Sequence, residues 1–132
     1  MKAHIQQEPR CALVWRVSPG SAAYEAVEHA ARPYRVRVRA VSEEALGMRI
    51  GDLCAGRTAQ AAGGTAPTEL PALIVSGLRH DNGDLNAFLD GVRRGGAQFP
   101  LRAMVTDTSR GWTLETLLTE LCREHEAVED PT

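Results

Sequence analysis

The segment Leu101–His125, LRAMVTDTSRGWTLETLLTELCREH, decides the fold. Leu101, Ala103 and Val105 alternate with Arg102, Met104 and Thr106, the period of an extended strand. Asp107, Thr108, Ser109, Arg110 and Gly111 follow, residues that bond nearby backbone or tolerate turn dihedrals. Thr113 is placed to cap a helix, with Trp112 and Leu117 in the positions of a hydrophobic staple. Leu114, Leu117, Leu118, Leu121 and Cys122 then recur at the spacing of one helical face. Glu115 near its start and Arg123 and His125 near its end suit the helix dipole. The segment therefore predicts a strand, a polar turn and an amphipathic helix.

A fainter copy of this pattern lies at Val38–Cys54, VRAVSEEALGMRIGDLC. Ahead of each copy stands a further strand and helix. Cys11–Val17 is a near-continuous apolar run closed by Ser18-Pro19-Gly20-Ser21, and a helix is predicted from Ala22 to Ala31. Ala72–Gly77 is a second apolar run, and a helix is predicted from Asp81 or Asn82 through Leu85, Phe88, Leu89 and Val92 to Gly95-Gly96. Tyr34–Val41 alternates, with Tyr34, Val36, Val38 and Ala40 expected inward and Arg35, Arg37 and Arg39 outward. Ser42–Gly47 reads as a turn and Met48–Ala55 as a short helix. The two stretches 11–55 and 72–125 thus share one grammar, which suggests βαβα pseudo-repeats in a single domain spanning 1–132. Gly56–Pro71, poor in large apolar residues, reads as a flexible connector between them. Residues 1–10 and the acidic tail from Glu126 are expected to fray.

The first and third strands are apolar on both faces and belong in the middle of a sheet; the second and fourth carry arginines and belong at its flanks. The expectation is an α/β fold with a four-stranded sheet ordered 2-1-3-4 or, if ferredoxin-like, 4-1-3-2.

Arg102-Ala103, Thr106, Thr108, Trp112-Thr113, Leu117, Glu120-Leu121 and Glu124-His125 resemble a C-terminal signature of the form KAVxTxTNxxWTxxELxxELxxEH. It marks an uncharacterised bacterial family of the DUF3783 type, and the resemblance runs from the third strand onward. The family lysine is Arg102 here and the turn asparagine is Ser109, so any family contact through that amide is in question. The resemblance implies the fold and no activity.

Composition narrows the function classes. The chain has 132 residues, 43% of them hydrophobic and 24% charged, with a formal net charge of -2. No global basic field is available for nucleic acid. No apolar run reaches bilayer length and the N-terminus lacks a signal-peptide core, so a cytoplasmic location without membrane contact is the expectation. Three cysteines, Cys11, Cys54 and Cys122, read as free buried thiols. Cys122 and His125 stand one turn apart, but a structural zinc site needs four ligands, and core cysteine plus dipole-compensating histidine is the simpler reading. His80-Asp81 reads as a helix cap rather than an acid–base pair. Neither GxxxxGK[ST] nor GxGxxG occurs, so no metal and no cofactor is expected.

What remains is anion capture at helix starts. Ser18 and Ser21 open one helix, and Thr106, Thr108 and Ser109 precede another, with Arg102 and Trp112 close by in sequence. Simple capping accounts for the same residues. The functional expectation is a small binding module without catalytic activity, acting on a protein partner, a second copy of itself, or a small anionic ligand between the halves. The alternatives are an enzyme with a loop-borne site and a metabolite-sensing regulatory domain.

Overall fold

The computed structural model describes residues 9–57 and 65–129. Its elements are β1 (Cys11–Trp15), α1 (Ala22–Ala31), β2 (Arg37–Val41), α2 (Ile50–Cys54), β3 (Ala72–Ser76), α3 (Asp84–Arg94), β4 (Leu101–Met104) and α4 (Leu114–Glu129). The strands form one sheet in the order β2-β1-β3-β4. This is the first of the two anticipated orders, selected by β2 lying beside β1 and β4 beside β3; burial explains the middle place of β1 and β3, which both orders share. CALVW and ALIVS have no position that tolerates water, and every residue of β1 and β3 is buried.

β1 pairs parallel with β2, β3 pairs parallel with β4, and β1 meets β3 antiparallel. Each parallel pair is joined by its own helix, α1 or α3, on one face of the sheet. There Ala12, Val14, Leu73 and Val75 pack with Val27, Phe88 and Val92. On the other face Cys11, Leu13, Trp15, Ala72, Ile74 and Leu101 pack with Ile50 and Leu53 of α2 and Leu114, Leu117, Leu118 and Leu121 of α4.

The chain segments that enter α2 and α4 cross one another. Ile50 N–H donates to the Trp112 carbonyl at 2.9 Å and Leu114 N–H donates to the Met48 carbonyl at 2.9 Å. Exchanging Ile50 for Leu114 and Met48 for Trp112 turns one bond into the other, so the two halves meet about an approximate twofold axis. Thr113 caps α4, its hydroxyl accepting from Thr116 N–H at 3.2 Å.

Several expectations change. The second strand begins at Arg37, because Arg32–Tyr34 forms a 3₁₀ turn with proline near its start and Arg35 adopts φ +56. Ala40, expected inside, is exposed, and Arg39, expected outside, is half-buried. Both faces of this sheet carry helices, so alternation at a flanking strand does not separate core from solvent. The third helix begins at Asp84 with Gly83 at its N-cap, so neither Asp81 nor Asn82 caps it; Asp81 pairs with Arg79, and Asn82 Oδ1 accepts from Asp84 N–H at 3.0 Å in the turn ahead. The last helix continues past Glu126 to Glu129. Of the connector, residues 58–64 lie outside the described residues, whereas 65–71 are docked. Trp15 Nε1–H donates to the Thr68 carbonyl at 3.1 Å, and Arg16 bridges Glu43 at 3.2 Å and Glu69 at 2.6 Å.

Candidate functional site: the groove along β4

The two flanks of the α1/α3 face are covered unequally. On the β2 side the Tyr24 hydroxyl of α1 donates to the Val38 carbonyl at 3.2 Å, which closes the helix down on the strand. On the β4 side nothing equivalent occurs, because α3 is drawn towards α1. A methyl group at Gly91 would lie 3.1 Å from the Ala30 Cβ, and one at Gly95 would lie 2.8 Å from the Ala26 Cβ. Helices joined through such small residues approach closely, and the space this opens appears on the far side of α3.

That space is a groove in three connected parts. The central part, about 350 Å³, is floored by Leu73 and Val75 of β3 and walled by Leu85 and Leu89 of α3 and by Arg102 and Met104 of β4. Towards the start of β4 it continues into a part of about 210 Å³ with Val92, Arg93 and Phe99. Past Met104 it continues into a part of about 330 Å³ between the loops that follow β3 and β4, beside His80, Asp81, Thr106 and Asp107. Loops at the ends of parallel strands are where α/β sheets commonly place ligands.

The groove is apolar at its floor and basic at its rim. Met104 is 36% exposed, one of two large apolar side chains left so among the described residues. Arg93 is paired with Asp90, whereas Arg102 has no hydrogen bond or ion pair among the described residues. β4 is also the last strand of the sheet. Leu101 N–H and Val105 N–H both turn inward, to the Pro71 and Val75 carbonyls at 3.3 and 2.8 Å. By strand periodicity the main-chain groups of Arg102 and Met104 turn outward along the open edge.

The residues singled out in the sequence do not converge. Arg102 and Thr106 line the groove. Ser109 is buried and tied to Thr106, its hydroxyl accepting from Thr106 N–H at 2.9 Å while its own N–H donates to Thr106 Oγ1 at 3.0 Å. That reciprocal pair consumes the donors an anion would need. Thr108 lies at the start of the 3₁₀ turn Ser109–Gly111, and Trp112 packs half-buried against the α2/α4 core. In the other half Ser21 caps α1 by accepting from Tyr24 N–H, and the Ser18 carbonyl accepts from Ser21 N–H at 3.1 Å. Residues 79–81 make a local ion pair in which Arg79 beside Asp81 holds that carboxylate below its usual range. Cys122 lies against the Pro67 carbonyl, and Cys54 is buried in one cluster with Cys11. No group of three or more His, Cys, Asp or Glu among the described residues could hold a metal ion. No described helix is long and apolar enough to cross a membrane.

A larger concavity, about 970 Å³, runs between the outer sides of α1 and α3 and so spans the two halves. Its lining mixes Glu25 and Glu28 with Arg32 and Arg94 among alanines and glycines. A surface of both signs and little apolar depth selects no ligand chemistry, and the β4 groove is the better-defined site.

Residues 71–128 match the family model of a domain of unknown function (DUF3783). The matched stretch contains β3, α3, β4 and α4, and every residue that lines the three parts of the groove. No curated protein and no solved structure matches the chain. Within the matched stretch the sequence points to Arg102 and Thr106 as site residues but not to Met104, Leu85 or Leu89. The spacing of Leu85 and Leu89 shows a helix face but not that the face lies beside an uncovered strand.

Proposed function

We propose that this chain is a protein-binding module whose DUF3783 portion takes up an extended segment of a partner along the open edge of β4. A strand added to an exposed edge gains main-chain hydrogen bonds, and pockets beside that edge read alternate side chains. The observation that carries this reading is a single coincidence. The open edge of β4, the apolar groove of Leu73, Leu85 and Leu89, and the guanidinium of Arg102, unpartnered among the described residues, all lie together. The segment that fits carries apolar side chains towards the groove and a carboxylate towards Arg102. We read the two halves as a degenerate duplication in which only the second half has kept its flank open. Free thiols in the core suit a reducing, cytoplasmic setting.

Panning a random dodecapeptide phage library against the protein tests this. Enriched sequences should alternate apolar with acidic residues, and their binding should fall at least tenfold in Arg102→Glu. Enrichment of sequences that bind Arg102→Glu equally well, or self-association in sedimentation that a β4 variant abolishes, would assign the edge to another occupant.

A further inference from the structure

The other face of the sheet holds a polar cluster that packing alone does not demand. Cys11, the first residue of β1, is fully buried, and Cys54, the last residue of α2, is 5% exposed. Both lie in one buried cluster beneath the sheet, their thiols close enough to influence each other, and the Ser76 hydroxyl lies within reach of Cys54. Ser76 is the cross-strand neighbour of Cys11.

Two arginines lie near Cys54, the guanidinium of Arg39 against Gly56 and the aliphatic stem of Arg110 against Gly51. A methyl group at Gly56 would lie 2.7 Å from Arg39 Nη2, and one at Gly51 would lie 2.7 Å from Arg110 Cγ. Arg39 Nε is buried without a hydrogen-bond partner. The hydrogen bond from Cys11, Ser76 and the charges of Arg110 and Arg39 hold the Cys54 thiol below its usual range against the opposing effect of burial. The hydrogen bond to Cys54 and burial push Cys11 up, so Cys11 keeps its proton.

The approximate twofold axis supplies an internal control. Cys11 and Ser76 face each other in the same way that Ala72 and Trp15 do. Arg39, beside Leu13 in β2, corresponds to Ala103, beside Ile74 in β4. Cys54, one turn beyond Ile50, corresponds to Leu118, one turn beyond Leu114. One fold therefore fills one of two symmetry-related spots with alanine, tryptophan, alanine and leucine, and the other with two thiols, a hydroxyl and a guanidinium. Polar groups in a place the fold can fill with carbon carry a desolvation cost, so they point to chemistry.

We propose that Cys54 and Cys11 are a peroxide-oxidisable dithiol couple, with Cys54 as the attacking sulfur and Cys11 as the resolving one. The Cys54 thiolate attacks the distal oxygen of a small hydroperoxide. The O–O bond breaks, the alcohol or water leaves with a proton from solvent, and Cys54 becomes a sulfenic acid. The Cys11 sulfur then attacks the Cys54 sulfur, its proton leaves with the hydroxyl as water, and a Cys11–Cys54 disulfide forms. Two thiols and one hydroperoxide thus give one disulfide, one alcohol (or water) and one water. The guanidinium neighbours favour the thiolate form of Cys54. Burial restricts the reagent to small peroxides, and the disulfide ties the end of α2 to the start of β1.

The test uses the full chain, in which trypsin separates the three cysteines. Cys11 falls in 11–16, Cys54 in 50–57 and Cys122 in 111–123. Treatment with hydrogen peroxide should remove two of the three thiols counted in denaturant. It should also yield the 11–16/50–57 linked peptide, which dithiothreitol reverses, with Cys122 still free. In Cys11→Ala, dimedone should label Cys54, and in Cys54→Ala it should leave Cys11 unlabelled. Loss of Cys122 first, equal loss of all three, or no linked peptide in the unmodified chain would overturn the proposal. So would dimedone on Cys11 in Cys54→Ala. The linked-peptide result does not depend on whether either variant folds.

Discussion

Gly20 and Gly77 make a matched pair for testing how the ends of the sheet are closed. Both adopt φ +86, a conformation an L side chain enters at a cost of about 1–2 kcal/mol. Around Gly20 there is nothing within 4 Å of where a Cβ would stand. At Gly77 that Cβ would lie 2.7 Å from the Pro9 carbonyl oxygen and 2.8 Å from the Arg10 Cα. These are main-chain atoms leading directly into β1, so no side-chain rotation relieves the overlap. Gly20→Ala should therefore show the conformational cost alone, about 1–2 kcal/mol. Gly77→Ala should add an overpacking cost of about 1–3 kcal/mol as the start of β1 is pushed away from the end of β3. For a chain of this length each kcal/mol is worth about 3–5 °C in Tm, so losses of about 5 °C and about 10 °C or more are expected. Urea titrations of both variants, with thermal melts by circular dichroism, measure the difference. Equal destabilisation would mean that residues 9–10 do not lie against the end of β3, and the packing derived for that end would be wrong.

Further outcomes follow from single contacts. Tyr24→Phe removes the hydrogen bond to the Val38 carbonyl and should cost about 1 kcal/mol in urea unfolding. Burial, with Glu28 adding to it, raises the Tyr24 hydroxyl above its usual 10.0. A raised native value means stability is complete below the unfolded value and is lost as pH climbs through the native one, so the reduced wild type should weaken above about pH 10 and Tyr24→Phe should flatten that decline. Thr113→Ala deletes the α4 cap and should cost about 1 kcal/mol. Phe88→Ala, emptying a fully buried site beneath α3, should cost about 3–5 kcal/mol by the same assay.

The layout was legible where every position of an element gave the same answer. β1 is apolar throughout and β3 is apolar from Ala72 to Val75, so their central place followed, and the leucine spacing of α4 left one face to bury. Legibility failed where a neighbour in space decides. The alternation of 34–41 continues through Tyr34, but Pro33 and the left-handed Arg35 interrupt the strand there. Arg39 reads as a solvent residue until Gly56 is seen beside it. The β4 groove depends on the sideways position of α3, which Ala26, Ala30, Gly91 and Gly95 set through contacts across the chain. The Cys11–Cys54 contact joins two residues whose surrounding sequence gives each only as an apolar position. Of the candidate anion-binding residues, Arg102 and Thr106 reached a shared surface. The serines did not: Ser21 caps its own helix and Ser109 is tied to Thr106.

The binding claim is tested most directly by amide hydrogen exchange on the protein alone and with a library-selected dodecapeptide. With no peptide bound, the Arg102 and Met104 amides should exchange quickly, as groups on an open strand edge, while Leu101 and Val105 are protected by the Pro71 and Val75 carbonyls. Peptide should slow Arg102 and Met104 at least tenfold, and Met104→Pro, which deletes an edge donor while sparing the bonds to β3, should abolish both binding and protection. Unchanged exchange at Arg102 and Met104, with protection appearing instead along the α1/α3 concavity, would contradict the account.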